Sequence, residues 1–264
     1  MNATLPEFKT PRRLTSKGNA KLDKCTEYGF LASGLTLAPH SIANVGTVCQ
    51  WATRGCKASC LAWFSGRNHT ESVRSALINR THYLASDRTA FETQLNREIQ
   101  AHIRAAHKAG LRAGFRLNVA SDLDWSHIAA QHDRCLFWDY SKSLARVLYS
   151  LGVVDFSNYG PWPANYHLTY SFSENATIDD ARQVVAAGGR VAVVFDRIWD
   201  PRKADPYTPL PKTWQGMRVI DGDRHDIRLP VEPIAERNCV VGLRFKGSRD
   251  RMAAGIRSGF VVEA

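Results

Sequence analysis

The sequence predicts an α/β fold: a partial, open TIM-like barrel of about six to eight mostly parallel strands, with a cysteine-rich metal loop after the first strand. Three observations predict it. Beyond residue 110, short apolar runs alternate with helical patterns, which is typical of parallel sheets. The run Val191–Phe195 is apolar throughout, as in a strand buried on both faces. The strand spacing is short and irregular, which favours a partial barrel over a complete eight-fold one.

The chain before the alternating pattern predicts an arm, one strand and two helices. Residues 1–28 are polar and basic and predict an irregular N-terminal arm, so one barrel-like domain is expected over residues 29–264. The segment Gly34–Pro39 predicts the first strand. Helices are predicted over about residues 70–85 and 87–110, because apolar residues recur there with helical spacing.

The alternating part predicts six further strands and two helices. The second of these helices has Thr177 as its N-cap and Asp180 in a capping-box-like position. The stretch 196–215 is rich in Pro and Asp and predicts a loop. The strands are expected at residues 115–119, 136–139, 167–171, 191–195, 218–220 and 240–243, and the helices at residues 141–151 and 177–187.

Hydropathy and charge limit where the protein is expected in the cell and what it is expected to bind. No run of 18 apolar residues occurs, so no transmembrane helix and no membrane partner are expected. The N-terminus lacks the apolar core of a secretory signal, so we expect a cytoplasmic protein. A formal net charge of +10 favours an anionic partner, either a small molecule or nucleic acid. Candidate contacts for nucleic acid are Arg12, Arg13, Lys17 and Arg67.

The cysteine loop is the strongest chemical signal in the chain. Cys49, Cys56 and Cys60 fall within twelve residues, whereas the other three cysteines stand far apart. In a reducing compartment such thiols are better read as metal ligands than as disulfides. Three cysteines leave one iron of a 4Fe-4S cluster open to a ligand. Zinc is the alternative, and His40 or His69 would supply its fourth ligand.

Polar residues follow the predicted strands, at the carboxyl ends where parallel α/β folds bind ligands. For each of these residues a helix cap or a turn is the alternative interpretation. The candidate catalytic residues are Asp122, Asp139, Lys142, Asp221 and Lys246. The candidate cofactor-binding residues are Asn118, Ser171 and Arg244.

Several segments carry a resemblance to a known family. The cysteine loop is followed by LAWFSGR, RLNVASDLDW, FWDYSK, NYHLTYSFSE, VIDGDRHDIR and VVGLRFKG. Together they resemble the gene product 88 family of phage and bacterial proteins, from about Gly34 to Gly247. The resemblance implies a phage protein in the bacterial host cytoplasm. The family's plan is similar to that of radical-SAM enzymes, which makes S-adenosylmethionine a candidate cofactor. Those enzymes typically use CxxxCxxC, whereas this chain has CxxxxxxCxxxC.

Two functions from different classes remain open. The first is an iron–sulfur enzyme, radical-SAM-like, that acts on a nucleotide or nucleic acid. The second is a non-catalytic phage protein that binds nucleic acid and uses the cysteine loop as a structural metal staple, with zinc or a cluster. The chain has no GxxxxGK[ST] motif and no GxSxG motif, which excludes a P-loop nucleotide triphosphatase and an α/β-hydrolase elbow.

Overall fold

A mixed sheet forms the framework of the protein. The computed structural model describes residues 9–16, 20–64, 70–156, 160–198, 208–232, 234 and 236–264. Within these residues the sheet has nine strands in the order β1-β2-β3-β4-β5-β6-β9-β8-β7. The strands are β1 (Thr15–Ser16), β2 (Phe30–Leu35), β3 (Arg112–Arg116), β4 (Cys135–Ser141), β5 (Tyr166–Ser171), β6 (Arg190–Ile198), β7 (Thr213–Trp214), β8 (Met217–Asp221) and β9 (Cys239–Phe245).

The sheet is mostly parallel and open. The pairs β2–β3, β3–β4, β5–β6, β6–β9 and β8–β9 are parallel, whereas β1–β2 and β7–β8 are antiparallel. The α/β class and the mostly parallel sheet are therefore confirmed. The two short terminal strands leave the sheet unclosed, so a TIM-like barrel is not confirmed.

Nine α-helices occur in the part of the chain that the structure describes. They are α1 (Ala20–Asp23), α2 (Arg54–Ala58), α3 (Leu61–Phe64), α4 (Glu71–Ser86), α5 (Arg88–Lys108), α6 (Ser126–Ala129), α7 (Leu144–Ser150), α8 (Ile178–Ala186) and α9 (Arg249–Ser258). A 3₁₀-helix covers Lys24–Tyr28. None of these helices is both long enough and apolar enough to cross a membrane.

The chain divides into two compact units. The first unit comprises residues 1–50 and 62–137, and the second comprises residues 51–61 and 138–264. In the first unit, α5 buries Phe91, Leu95 and Ile99, which recur every four positions as the sequence predicts. The helix lies along β2 and β3, and its His102 Nε2 approaches the carbonyl oxygens of residues 31 and 114, at 3.0 and 3.1 Å.

Strand register divides the side chains of the second unit between the two faces of the sheet. Residues that pair across parallel strands point to the same face, and neighbours along a strand point to opposite faces. Val194 pairs with Leu243, and both contact a buried cluster with Phe245. Arg244, one residue beyond Leu243, therefore points to the opposite face. Asp221 points to the same face as Arg244, because Asp221 pairs with Gly242, which lies two residues before Arg244 on β9.

The strand boundaries differ most from the sequence-based expectation at β2 and β3. The first predicted strand, at residues 34–39, lies earlier, at Phe30–Leu35. The strand predicted at residues 115–119 ends at Arg116. It ends early because the amide of Asn118 bonds within its own loop, which draws the chain out of the extended conformation. The stretch expected as a loop over residues 196–215 includes the end of β6 and all of β7.

Candidate functional site

The Cys49 thiol lies in the first unit, in a loop held by backbone hydrogen bonds. Its Sγ accepts a hydrogen bond from the His40 N–H at 3.1 Å and lies 3.4 Å from the Ala120 carbonyl oxygen. Cys49 also forms a parallel bridge with Asp122, whose N–H donates to the Val48 carbonyl at 2.8 Å. The sulfur is therefore positioned by main-chain atoms, and it is only half-buried.

Asn118 orders the loop that carries Asp122. Its side-chain oxygen accepts hydrogen bonds from the Ser121 hydroxyl at 2.7 Å and from the Leu123 N–H at 2.9 Å. Its side-chain nitrogen donates to the Leu123 carbonyl at 2.9 Å. Arg116 completes the loop by donating to the Asn118 carbonyl at 3.1 Å. The structure thus gives Asn118 a positioning role, alongside the cofactor-binding role that the sequence predicts.

Cys56 lies in the second unit, on α2. The helix is capped by Thr53, whose side chain accepts from the Cys56 N–H at 3.2 Å. A carboxylate holds this cap, because Glu174 accepts from the Thr53 hydroxyl at 2.7 Å and from the Gly55 N–H at 2.6 Å. Cys56 is half-buried and packs against the apolar cluster of Val194, Phe245, Phe260 and Val261. Cys60 follows the helix, and its N–H donates to the carbonyl of residue 57 at 3.4 Å.

Helix α9 packs closely against α2. A Cβ on Gly55 would lie 2.4 Å from Ser258 Oγ and 2.8 Å from Phe260 Cβ, which is too close for either contact. Arg251 donates to the carbonyl of Ala58 at 2.8 Å, at the C-terminal end of α2. Glycine at position 55 therefore allows the two helices to approach, and α9 fixes the position of the segment that bears Cys56.

Two of the predicted site residues lie on the same face of the sheet as Cys56. Lys142 Nζ donates to Ser171 Oγ at 3.1 Å and lies 5.7 Å from the centroid of the Phe260 ring. Ser171 pairs with Ala192, two residues before Val194 on β6, so it shares that face. A cation and a hydroxyl thus lie beside the apolar cluster that contacts Cys56.

A second polar group lies on the opposite face. Arg244 forms a two-pronged ion pair with Asp221, at 2.8 and 3.0 Å, and its backbone N–H donates to Asp223 at 2.9 Å. Lys246 Nζ is 2.9 Å from the other oxygen of Asp223. Burial opposes the charge of Arg244, but the hydrogen bond and charge of Asp221 and the charge of Asp223 outweigh it and raise the arginine's pKa.

Asp139 is fully buried. Its carboxylate accepts a hydrogen bond from the Tyr166 hydroxyl at 2.9 Å. The predicted residues of the second unit thus form two groups on opposite faces of the sheet, Lys142 with Ser171 and Arg244 with its partners, together with a buried Asp139.

Two features of the second unit were missed from the sequence. The first is the contact of Glu174 with α2, which spans more than a hundred residues of sequence and has no local signal. The second is Arg228, which is fully buried and donates to the Tyr140 hydroxyl at 2.9 Å and to the carbonyl of Gly222 at 2.6 Å. Burial disfavours the charge of Arg228, but Tyr140 and Glu236 outweigh it and raise its pKa. A lone arginine between apolar residues, as in DIRLP, is the signal that could have found it.

The six cysteines separate into two classes by burial. All six are free thiols, and Cys49, Cys56 and Cys60 are half-buried, whereas the other three are buried. Burial raises the pKa of the Cys135 thiol far above its usual range. Burial, together with the charge of Glu236, raises the pKa of Cys239 to about 11.

No preassembled metal site is found among the residues that the structure describes. Within them, no group of three or more His, Cys, Asp or Glu side chains is placed to hold a metal ion. His69, a predicted zinc ligand, lies outside those residues, as do Lys17 and Arg67. The donor chemistry of the loop does suit a thiolate-bound metal, because its three thiols are half-exposed and one of them already accepts a backbone N–H.

Comparisons with known proteins identify one family. No curated protein and no solved structure gives a significant match. A family model described as gene product 88 matches residues 13–264, and this match does not extend to the radical-SAM resemblance. Because that match covers more than nine-tenths of the sequence, the chain belongs to the gene product 88 family.

Proposed function

We propose that the chain binds an iron–sulfur cluster, of the 4Fe-4S type, through Cys49, Cys56 and Cys60. The observation that carries the proposal is the separation of the six cysteines by burial. Thiolates bind metals, and a thiol that is buried and holds its proton cannot readily become a ligand. The three cysteines that are clustered in the sequence are the three that solvent can reach, so clustering and accessibility select the same set.

The surroundings of these thiols suit an iron–sulfur cluster. Hydrogen bonds from backbone N–H groups to sulfur are one of the means by which proteins tune iron–sulfur clusters. The His40 N–H makes such a bond to Cys49. A zinc ion would instead need a fourth ligand, the imidazole of His40 or of His69.

The finer proposal is that the cluster serves catalysis with S-adenosylmethionine on a nucleotide or nucleic acid. When reduced, a cluster with one open iron supplies an electron for cleaving the sulfonium bond. The contribution of the chain is to bind the methionine part of the cofactor. Lys142 can pair with its carboxylate and Ser171 can accept from its amine, and both share a face of the sheet with Cys56. The consecutive order β2-β3-β4-β5-β6 is also the order of neighbouring strands in a TIM barrel.

The cysteine assignment can be tested by metal analysis. The protein is purified without oxygen, reconstituted with iron and sulfide, and compared with Cys56→Ala and Cys239→Ala. We expect about four irons in the wild-type chain and an absorption shoulder at about 400 nm. Cys56→Ala should lose most of the iron because the site loses one of its ligands. Cys239→Ala, which removes a buried thiol, is the matched control and should retain it.

Two results would contradict the proposal. Equal iron in Cys56→Ala and Cys239→Ala would remove the loop from the ligand set. Stoichiometric zinc without iron would favour the alternative function, a nucleic-acid-binding protein with a structural metal staple.

Addition of S-adenosylmethionine to the reduced protein tests the finer proposal, since binding at an open iron changes the paramagnetic resonance spectrum. An unchanged spectrum would leave the cluster in place and remove this cofactor.

A further inference from the structure

A groove of about 440 Å³ lies in the first unit, at the amino ends of β3 and β4 and beside the end of α5. This volume falls within the range of small-molecule binding sites. The groove is at the other end of these strands from the predicted site residues, which follow their carboxyl ends. Neither the cysteine loop nor the residues named for catalysis account for it.

The groove is strongly basic. Four of its lining side chains are Arg104, His107, Arg112 and Arg134, against a single acid, Asp133, and all five are exposed. Within the described part of the chain, neither Arg104 nor Arg134 takes part in an ion pair or a side-chain hydrogen bond. Their positive charges therefore remain available to a ligand.

Helix capping does not explain these basic residues. Cations at a helix C-terminus often neutralise its exposed carbonyl groups. Here the backbone does so, because the N–H groups of Ala109, Gly110 and Leu111 donate to the carbonyls of residues 105 to 107 at 3.0 to 3.1 Å. The arginines are thus not required by the end of the helix.

The floor of the groove is apolar. Ile103, Leu111 and Leu136 line it, and each is half-buried. On one side the Arg112 guanidinium lies 4.0 Å from the centroid of the Phe30 ring, which holds this cation over an aromatic surface. Arginines beside an apolar floor suit a ligand that joins an anionic group to a flat apolar one.

We propose that this groove binds a nucleotide, with its phosphate at Arg104 and Arg134 and its base against the apolar floor. The nucleotide is either free or part of a single strand, since both present the same phosphate and an unstacked base. The proposal is independent of the metal proposal because it uses none of the same residues.

The test compares two double variants of the full chain that change its charge equally. Arg104→Gln with Arg134→Gln alters the groove, and Arg249→Gln with Arg257→Gln alters exposed arginines of α9. The probes are ATP and a fluorescein-labelled oligothymidylate of about twelve nucleotides, measured at about 50 and 200 mM salt. We expect the groove variant to bind at least one probe about tenfold more weakly, and the slope of log affinity against log salt to fall by about 1.4 for the oligonucleotide.

A third variant separates binding from folding. Asp133→Asn removes the one acid of the groove, so it should tighten binding by about two- to fivefold, which misfolding could not do. Binding of ATP but not of oligothymidylate would indicate that the ligand is a free nucleotide. Binding of oligothymidylate but not of ATP would indicate a single strand. Equal losses in the two double variants would overturn the proposal, as would a wild-type chain that binds neither probe at low salt.

Discussion

Gly55 is a position at which close packing leaves no room for a larger residue. An alanine there would gain up to about 1 kcal/mol of helix propensity. Its Cβ would also lie 2.8 Å from Phe260 Cβ and 2.9 Å from Glu174 Oε1. The Phe260 atom adjoins the main chain and cannot swing aside, so crowding outweighs propensity.

We therefore expect Gly55→Ala to lower the free energy of unfolding by about 1–3 kcal/mol, as overpacked cores do. Urea denaturation followed by circular dichroism measures the change. Lys57→Ala is the control, because it alters an exposed position of the same helix and should change stability by less than about 0.5 kcal/mol. A Gly55→Ala chain as stable as Lys57→Ala would show that α9 yields to the added methyl group.

At the scale of single residues, the sequence indicates which side chains are candidates for the site but not what surrounds each of them in the fold. The cysteine loop is visible as a spacing of thiols, and the pairing of Thr177 with Asp180 is visible as a local motif that the structure confirms. Asp139 looks like Asp221 in the sequence, since each follows an apolar run. One is buried against a tyrosine and the other forms an ion pair with Arg244. Only contacts between distant parts of the chain distinguish them.

At the scale of elements, the short helix α2 depends on a partner far away in sequence. A helix of five residues forms one turn and is unstable by itself. Glu174 supplies what is missing, because its two oxygens accept from the Thr53 hydroxyl and the Gly55 N–H. Hydrogen bonds to an ionised carboxylate are about twice as strong as neutral ones, so this contact stabilises the helix that bears Cys56.

We expect Glu174→Gln to lower the free energy of unfolding by about 1–2 kcal/mol, because one acceptor oxygen is replaced by an amide donor. Iron retention should fall with it if Cys56 is a ligand. Glu263→Gln makes the same change of charge at an exposed position and should leave both quantities unchanged. Identical unfolding midpoints for the two variants would show that α2 does not require the carboxylate.

Long elements are predicted more closely than short ones. Helices α4 and α5 begin within one residue of the expected positions, because each is long enough for helical spacing to show, most regularly at Phe91, Leu95 and Ile99 of α5. The 3₁₀-helix at Lys24–Tyr28 and the two-residue strand β1 lie in the segment that predicts an irregular arm. Elements of two to five residues have too few positions to show a period, and tertiary contacts determine them.

At the scale of the whole molecule, alternating strands and helices predict a mostly parallel sheet, and the structure confirms it. Closure cannot be predicted in the same way. It depends on the terminal strands, and β1 and β7 are each two residues long and antiparallel to their neighbours. The strands from β2 to β6 lie side by side in chain order, although residues 36–111, which include α2 to α5, separate β2 from β3.

The stability of the whole chain depends on pH, and His167 contributes to that dependence. Burial, together with the charges of Arg190 and Arg237, lowers the pKa of His167 to about 4. A histidine in an unfolded chain has a pKa of about 6.5. Between these two values the unfolded chain binds the proton and the folded chain does not. Protonation therefore favours the unfolded state progressively as the pH falls from about 6.5 to about 4, and adds nothing further below that.

We expect His167→Gln to remove this contribution. Over that pH window the wild-type chain should lose about 1–3 kcal/mol more stability than the variant, with the upper value set by the difference in pKa and the lower by solvent screening. Urea midpoints at half-unit steps of pH measure it, and His107→Gln, at an exposed position, should follow the wild-type curve. The carboxylates that also titrate at about pH 4 are common to all three chains and cancel in the comparison. Parallel curves for wild type and His167→Gln would mean that His167 accepts its proton equally well in the folded chain, and the burial of this imidazole would then have no energetic consequence.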